Sequence, residues 1–212
     1  MKVENFKKVL VLAPHTDDGE LGAGGTISKL IQANAEVHYA AFSTAAESLP
    51  AGFPEDTLKR ELADATRRLG IKAGNLVVYN YQVRKLCFSR QEILEDLIKL
   101  RSNGNYDLVV IPSLNDIHQD HKTIAEEGLR AFKSTTIFSY ELVWNNLNFN
   151  TAAFVKLNET QLRAKCDALK AYASQQGKPY MKEDFIFALA KTRGVQIGCA
   201  FAEAFEVVRL VL

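Results

Sequence analysis

The chain has 212 residues, a formal net charge of +1, 47% hydrophobic residues and 24% charged ones. That balance excludes a protein drawn to nucleic acid or an anionic membrane by its overall charge, and the length suits one α/β domain, residues 1–212. Cys87, Cys166 and Cys199 are widely spaced and outside any CxxC. With no signal-peptide pattern and no apolar stretch long enough for a membrane span, they predict a cytoplasmic protein without a disulfide framework or a thiolate zinc site.

Val9 to Ala13 is a short aliphatic run that reads as a buried strand and stops at Pro14. His15, Asp17 and Asp18 follow directly, then four glycines within seven residues, and a helical pattern is expected from Thr26. Val37 to Phe42 reads as a second strand and Ser43 to Pro54 as a loop of small residues, Pro and Gly. Asp56 to Leu69 has apolar residues at helical spacing and a C-capping Gly70. A third strand is expected at Leu76 to Tyr79, a helix at Gln91 to Leu100, and a fourth strand at Leu108 to Ile111, again stopped by a proline. The cluster NDIHQDH, residues 115–121, leads into a helix through Phe132. Thr135 to Val143 reads as a fifth strand, Glu159 to Ala173 as a long helix, and Val207 to Leu212 as a closing strand or apolar tail.

Alternating strands and helices predict a single Rossmann-like domain: a mostly parallel, doubly wound sheet with helices on both faces. In the strand order 3-2-1-4-5, strands one and four are neighbours, and the turns after them face each other across a crevice. Three of the four histidines lie in those two turns. Two imidazoles and a carboxylate with positions left open suit zinc or another first-row divalent ion, such as Fe²⁺, engaged in hydrolysis. A neighbouring carboxylate could take a proton from water, an imidazole could stabilise or protonate the departing side, and Asp120 could orient His118 through a ring N–H. The competing reading is a Rossmann-like nucleotide-binding module that uses the glycine turn for phosphates. It lacks both the G-x-G-x-x-G spacing and an acidic residue after the second strand. His38 reads as a structural histidine; Glu203 fits a helix residue, a second-sphere acceptor or a partner for arginine.

The opening PHTDDGELGAGG resembles the PHPDDE-type motif of the N-acetylglucosaminylphosphatidylinositol de-N-acetylase and LmbE-like family of zinc-dependent deacetylases. HQDH resembles that family's HPDH. Glu61 with Leu69-Gly70, ALKAYASQ at 168–175 and AEAF at 202–205 extend the resemblance along nearly the whole chain. It implies one zinc ion on His15, Asp18 and His121, Asp17 as general base, and His118 with Asp120 as an imidazole paired to a carboxylate. The implied reaction removes an acyl group, acetyl first of all, from an amino sugar or its conjugate. Thr16 and Gln119 stand where the family has proline. Arg60 is the nearest counterpart of a substrate-binding arginine on the second helix, and Tyr180 of a mobile tyrosine.

Two loops are placed to recognise substrate, residues 44–56 and 174–184. A different metal hydrolase, an esterase or a deformylase, shares the same site residues, and a homo-oligomer is compatible with the composition.

Overall fold

The computed structural model describes residues 2–211. The strands are β1 (Lys8–Ala13), β2 (Glu36–Ala41), β3 (Leu76–Val78), β4 (Leu108–Pro112), β5 (Thr136–Tyr140), β6 (Ala153–Leu157) and β7 (Phe201–Arg209). They form one sheet in the order β3-β2-β1-β4-β5-β7-β6. The first five positions have the predicted order and pair in parallel. β7 then runs antiparallel to both β5 and β6 and extends the sheet past its parallel part.

The helices are α1 (Asp18–Gln32), α2 (Thr57–Leu69), α3 (Arg90–Asn103), α4 (Gln119–Ala131), α5 (Glu159–Leu169) and α6 (Glu183–Gln196). Val9, Val11 and Ala13 of β1 face a core shared with α1, α2, α5 and α6, while Leu10 and Leu12 face one shared with α3 and α4. A strand buried on both faces can be aliphatic at every position, as this one is.

Helix α1 starts at Asp18 rather than at Thr26, so the glycines lie inside it. They weaken the helix intrinsically, and the reason for them is close approach. A Cβ at Gly22 would run into the Tyr140 ring, and one at Gly25 into Leu157. The glycine run is therefore a packing surface for α1, which is what the phosphate-loop reading lacked.

The same helix contains an inserted ion pair. Glu203, on β7, accepts from the Gly25 and Thr26 N–H groups at 3.0 and 2.7 Å. Lys165 of α5 binds Glu203 at 2.7 Å and donates to the Leu21 carbonyl at 2.6 Å. Helix–backbone groups in the middle of α1 are thus served by two buried side chains, a known cause of local helix distortion. Glu203 is a strand residue, and its role is to tie α1 to β7 and α5.

Candidate active site

The turns after β1 and β4 meet where the chain reverses direction between the two strands. After β1, the Asp18 carboxylate turns back and accepts the His15 backbone N–H at 2.8 Å. After β4, Asp116 accepts the His118 backbone N–H at 2.8 Å and meets His121 Nδ1 at 2.7 Å. His118 caps α4, its Nδ1 accepting the Asp120 N–H at 3.2 Å. These local bonds fix all three imidazoles before any ligand is considered.

A carboxylate can only accept, so the rings' outer partners set their tautomers. His15 Nε2 donates to Asp120 at 2.9 Å, and His121 Nδ1 donates to Asp116. This leaves His15 Nδ1 and His121 Nε2 facing each other at 3.2 Å, with Asp18 Oδ2 at 3.2 Å from the first and 3.3 Å from the second. The three atoms form a nearly equilateral triangle. Its edges match the separation, about 3.3 Å, of two ligands on a tetrahedral ion with bonds of about 2.0–2.1 Å. A wider trio, His15, His118 and His121, has ligand atoms within 4.8 Å of one another. The Asp18 triangle is the tighter fit, with every edge at 3.2–3.3 Å.

The charges are strongly coupled. Burial alone would lower the pKa of His15, but the hydrogen bonds to Asp120 and Asp18 raise it to about 9. Burial is likewise overcome at His121, where Asp18 and Asp116 raise the pKa to about 10. Asp18 is held well below the usual range, against burial, by His121 and His15. Asp17 behaves oppositely: burial and the adjacent Asp18 push it up, while Lys178 and His15 pull it back. His118 is pushed down by burial and by the other two imidazoles, so it is neutral near pH 7.

The open cleft has a volume of about 290 Å³. Asp17, Asp18 and the three histidines line it, with Arg84, Trp144, Lys178 and Tyr180 among the other wall residues. Ala45 and Ser48 come from the first predicted recognition loop, and Gln175, Lys178 and Tyr180 from the second. Glu61 helps to set the latter, accepting the Ser174 N–H and hydroxyl at 2.9 and 2.6 Å. Behind the first turn, Tyr39 and Tyr172 both hydrogen-bond the buried Glu20 and the Thr16 carbonyl. That bracing holds Asp17 and Asp18 in place.

Two expectations need correction. The Asp120 carboxylate does not orient the His118 ring; it holds His15 and accepts the Arg84 and Leu86 N–H groups at 2.6 and 3.2 Å. Only its backbone reaches His118, because the first turn of α4 points the two side chains apart. Arg60 is no part of the cleft: its side chain is 63% exposed and pairs with Asp56 at 3.1 Å one helical turn away. The sequence reading also missed Asp116, Arg84, Trp144 and Lys178. Asp116 lay within the noted cluster, five residues before His121, and Lys178 within the second predicted loop without being singled out; Arg84 and Trp144 have no local signature.

A family model described as PIG-L, GlcNAc-PI de-N-acetylase, matches residues 10–132. The chain belongs to that family. The match takes in both site turns of this PIG-L family member.

Solved structures extend the likeness over the rest of its fold. The N,N'-diacetylchitobiose deacetylase from Pyrococcus horikoshii is 23% identical, with a TM-score of 0.78 over 97% of this chain and 85% of that one. The conserved protein TT1542 from Thermus thermophilus is 25% identical, with a TM-score of 0.80 over 96% and 95%. GalB, the 4-carboxy-2-hydroxymuconate hydratase from Pseudomonas putida, is 18% identical, with a TM-score of 0.77 over 97% and 98%. Since this architecture also supports a hydratase, the reaction of the PIG-L family member has to be argued from its site.

Proposed function

We propose that the protein is a metal-dependent N-deacylase that removes an acetyl group from a 2-acetamido sugar or sugar conjugate. The carrying observation is the triangle of His15 Nδ1, Asp18 Oδ2 and His121 Nε2, with the Asp17 carboxyl beside it in the same cleft. Family membership supports the amide bond and the sugar; the donor set supports zinc or another first-row divalent ion.

A divalent ion would be held by those three atoms, and would supply Lewis acidity toward the amide carbonyl and lower the pKa of water toward neutrality. Asp17 takes the proton released as water adds to the carbonyl carbon. Burial and the adjacent Asp18 charge favour its protonated form, which suits a group that must hold that proton until the nitrogen departs. His118, neutral and with Nδ1 engaged by the helix, keeps Nε2–H as a donor for the oxygen that becomes negative. When the C–N bond breaks, Asp17 passes the proton to the departing nitrogen; the amine leaves, and the acid product releases its remaining hydroxyl proton to solvent as acetate. Asp116 and Asp120 keep the two ligand imidazoles in the tautomers this requires.

No helix among the described residues is long and apolar enough to cross a membrane. We place the enzyme in the cytoplasm, acting on a small molecule.

The test is amine release from a panel of N-acetylated sugars and conjugates, run beside metal analysis. Release that requires close to one ion per chain, and is lost with His15→Ala, is expected. A folded, zinc-loaded protein that releases amine from no member of the panel overturns the reading.

A further inference from the structure

Six glutamates are buried among the described residues. Three of them meet a cation: Glu127 pairs with Arg90, Glu141 with Arg193, and Glu203 with Lys165. Glu20, Glu61 and Glu206 form no ion pair among the described residues and are held by neutral donors. Burying a carboxyl group on those terms costs stability, so its surroundings have to account for it. Glu20 braces the turn after β1, and Glu61 sets the loop at 174–184. Glu206, on β7, is the third.

Its contacts run to the turn after β4. Glu206 Oε2 accepts the Ser113 and Ser139 hydroxyls at 2.7 and 2.8 Å. Its Oε1 accepts the Asn150 N–H at 3.2 Å and Asn115 Nδ2 at 3.4 Å. Ser139 is the cross-strand partner of Glu206 on β5, whereas Ser113 directly follows β4. A carboxylate can only accept, so both hydroxyl protons point at Glu206. The Ser113 oxygen therefore keeps its lone pairs for the Asn115 N–H, at 3.1 Å, and the Ser113 carbonyl takes the Asp116 N–H at 3.2 Å. Asp116 in turn holds His121 through Nδ1 at 2.7 Å.

We propose that Glu206 is the positioning residue of the turn after β4: it fixes the Ser113 hydroxyl, so that Asp116 holds His121 with Nε2 toward His15 and Asp18. The proposal rests on the metal-site reading, which gives that geometry its use. Glu206 touches no ligand atom and acts only through Ser113 and Asp116. Hydrogen-bond partners behind a metal ligand commonly change metal affinity about 10–100-fold.

The test compares two serines that share one carboxylate oxygen. Ser113→Ala and Ser139→Ala each take one hydroxyl from Glu206 Oε2, yet only the first releases the turn. Competition with a chromophoric chelator gives the zinc dissociation constant, and the visible spectrum of the Co²⁺-loaded protein reports ligand geometry. Tm of the metal-free protein reports the fold. Ser113→Ala is expected to weaken zinc roughly tenfold or more and to alter the Co²⁺ spectrum. Ser139→Ala should stay within about twofold of the parent with the spectrum intact, although Tm falls in both. Glu206→Leu reproduces the Ser113→Ala loss, and adding Ser113→Ala to it weakens zinc no further. Glu206→Gln, whose amide oxygen still accepts, recovers part of the affinity.

A Ser113→Ala protein that binds zinc as the parent does overturns the proposal. So does a Ser139→Ala protein that loses as much affinity, because the effect then follows stability. A Ser113→Ala loss that persists in full beside Glu206→Leu overturns it too. If Glu206→Leu does not fold, the two serine variants decide. A parent chain that binds neither zinc nor Co²⁺ removes the metal reading and this proposal with it. A chain that shows the full serine pattern but hydrolyses no N-acetylated sugar removes the deacylase reading and leaves Glu206 its role.

Discussion

Asp17 and Asp18 are adjacent, yet their surroundings push their carboxyls in opposite directions, Asp17 up and Asp18 down. Their amides should therefore fail differently. Asp18→Asn should lose metal and activity together, because Asp18 Oδ2 is one corner of the ligand triangle. Asp17→Asn should keep the metal while turnover falls about 10²–10⁴-fold, the usual cost of a lost general base. Metal analysis beside kcat measures both, and the reverse pattern would exchange the two roles. The proposed mechanism adds a catalytic role for His118 to its observed helix cap, and substitutions can separate the two. His118→Ala removes both the Nε2–H donor and the cap on α4, so activity and about 1 kcal/mol of stability should go together. His118→Asn supplies a capping oxygen again, so thermal stability should return while activity stays low. Activity that recovered with the cap would make His118 purely structural.

At the scale of elements, the strands and the two polar turns were legible because their signals are local. Two aliphatic runs end at Pro14 and Pro112, and each delivers its acidic and imidazole groups within nine residues. The βαβ alternation then sets β1 beside β4. What was not legible depends on partners distant in sequence. The start of α1 was hidden because its glycines read as a loop until Tyr140 and Leu157 are packed against them. Strand β6 is five residues long at the sheet edge, and α6 lacks a clear apolar stripe, so neither stood out. Arg60 looked suitable by position on α2, but its exposed face of the helix leads away from the cleft. Glu203 was ambiguous for the same reason: its partners Lys165, Gly25 and Thr26 are 38, 178 and 177 residues away. That linkage carries an element-scale expectation. Lys165→Met leaves the buried Glu203 carboxylate without its cation, which should cost about 3–5 kcal/mol in denaturant unfolding. A loss below about 1 kcal/mol would mean that the α1 N–H groups alone satisfy Glu203.

For the whole molecule, the site links stability to pH through the protons that occupy it when no metal is bound. His15 and His121 have folded pKa values of about 9 and about 10, both above the ordinary 6.5. A raised imidazole pKa stabilises the fold fully below about 6.5 and loses that contribution as pH climbs through the folded values. Each shift is on the order of a few kcal/mol, and the two do not add, because both rings depend on Asp18. The buried Glu20, with a pKa of about 8 set first by its burial, has the same sign: its folded form holds a proton that the unfolded chain has released above about 4.5. Metal-free protein should therefore lose the imidazole contribution from about pH 6.5 to about 10, and the Glu20 contribution from about 4.5 to about 8. A bound divalent ion replaces the imidazole protons, so it competes with them below that window and is freed from competition above it. Glu20 is common to both forms and largely cancels in the comparison. Tm measured with chelator and with saturating zinc should consequently diverge as pH rises from 6.5 to 9, the metal-free curve falling while the gap widens. A gap that stayed constant would show that His15 and His121 do not exchange protons for metal, and would remove them as the ligand pair.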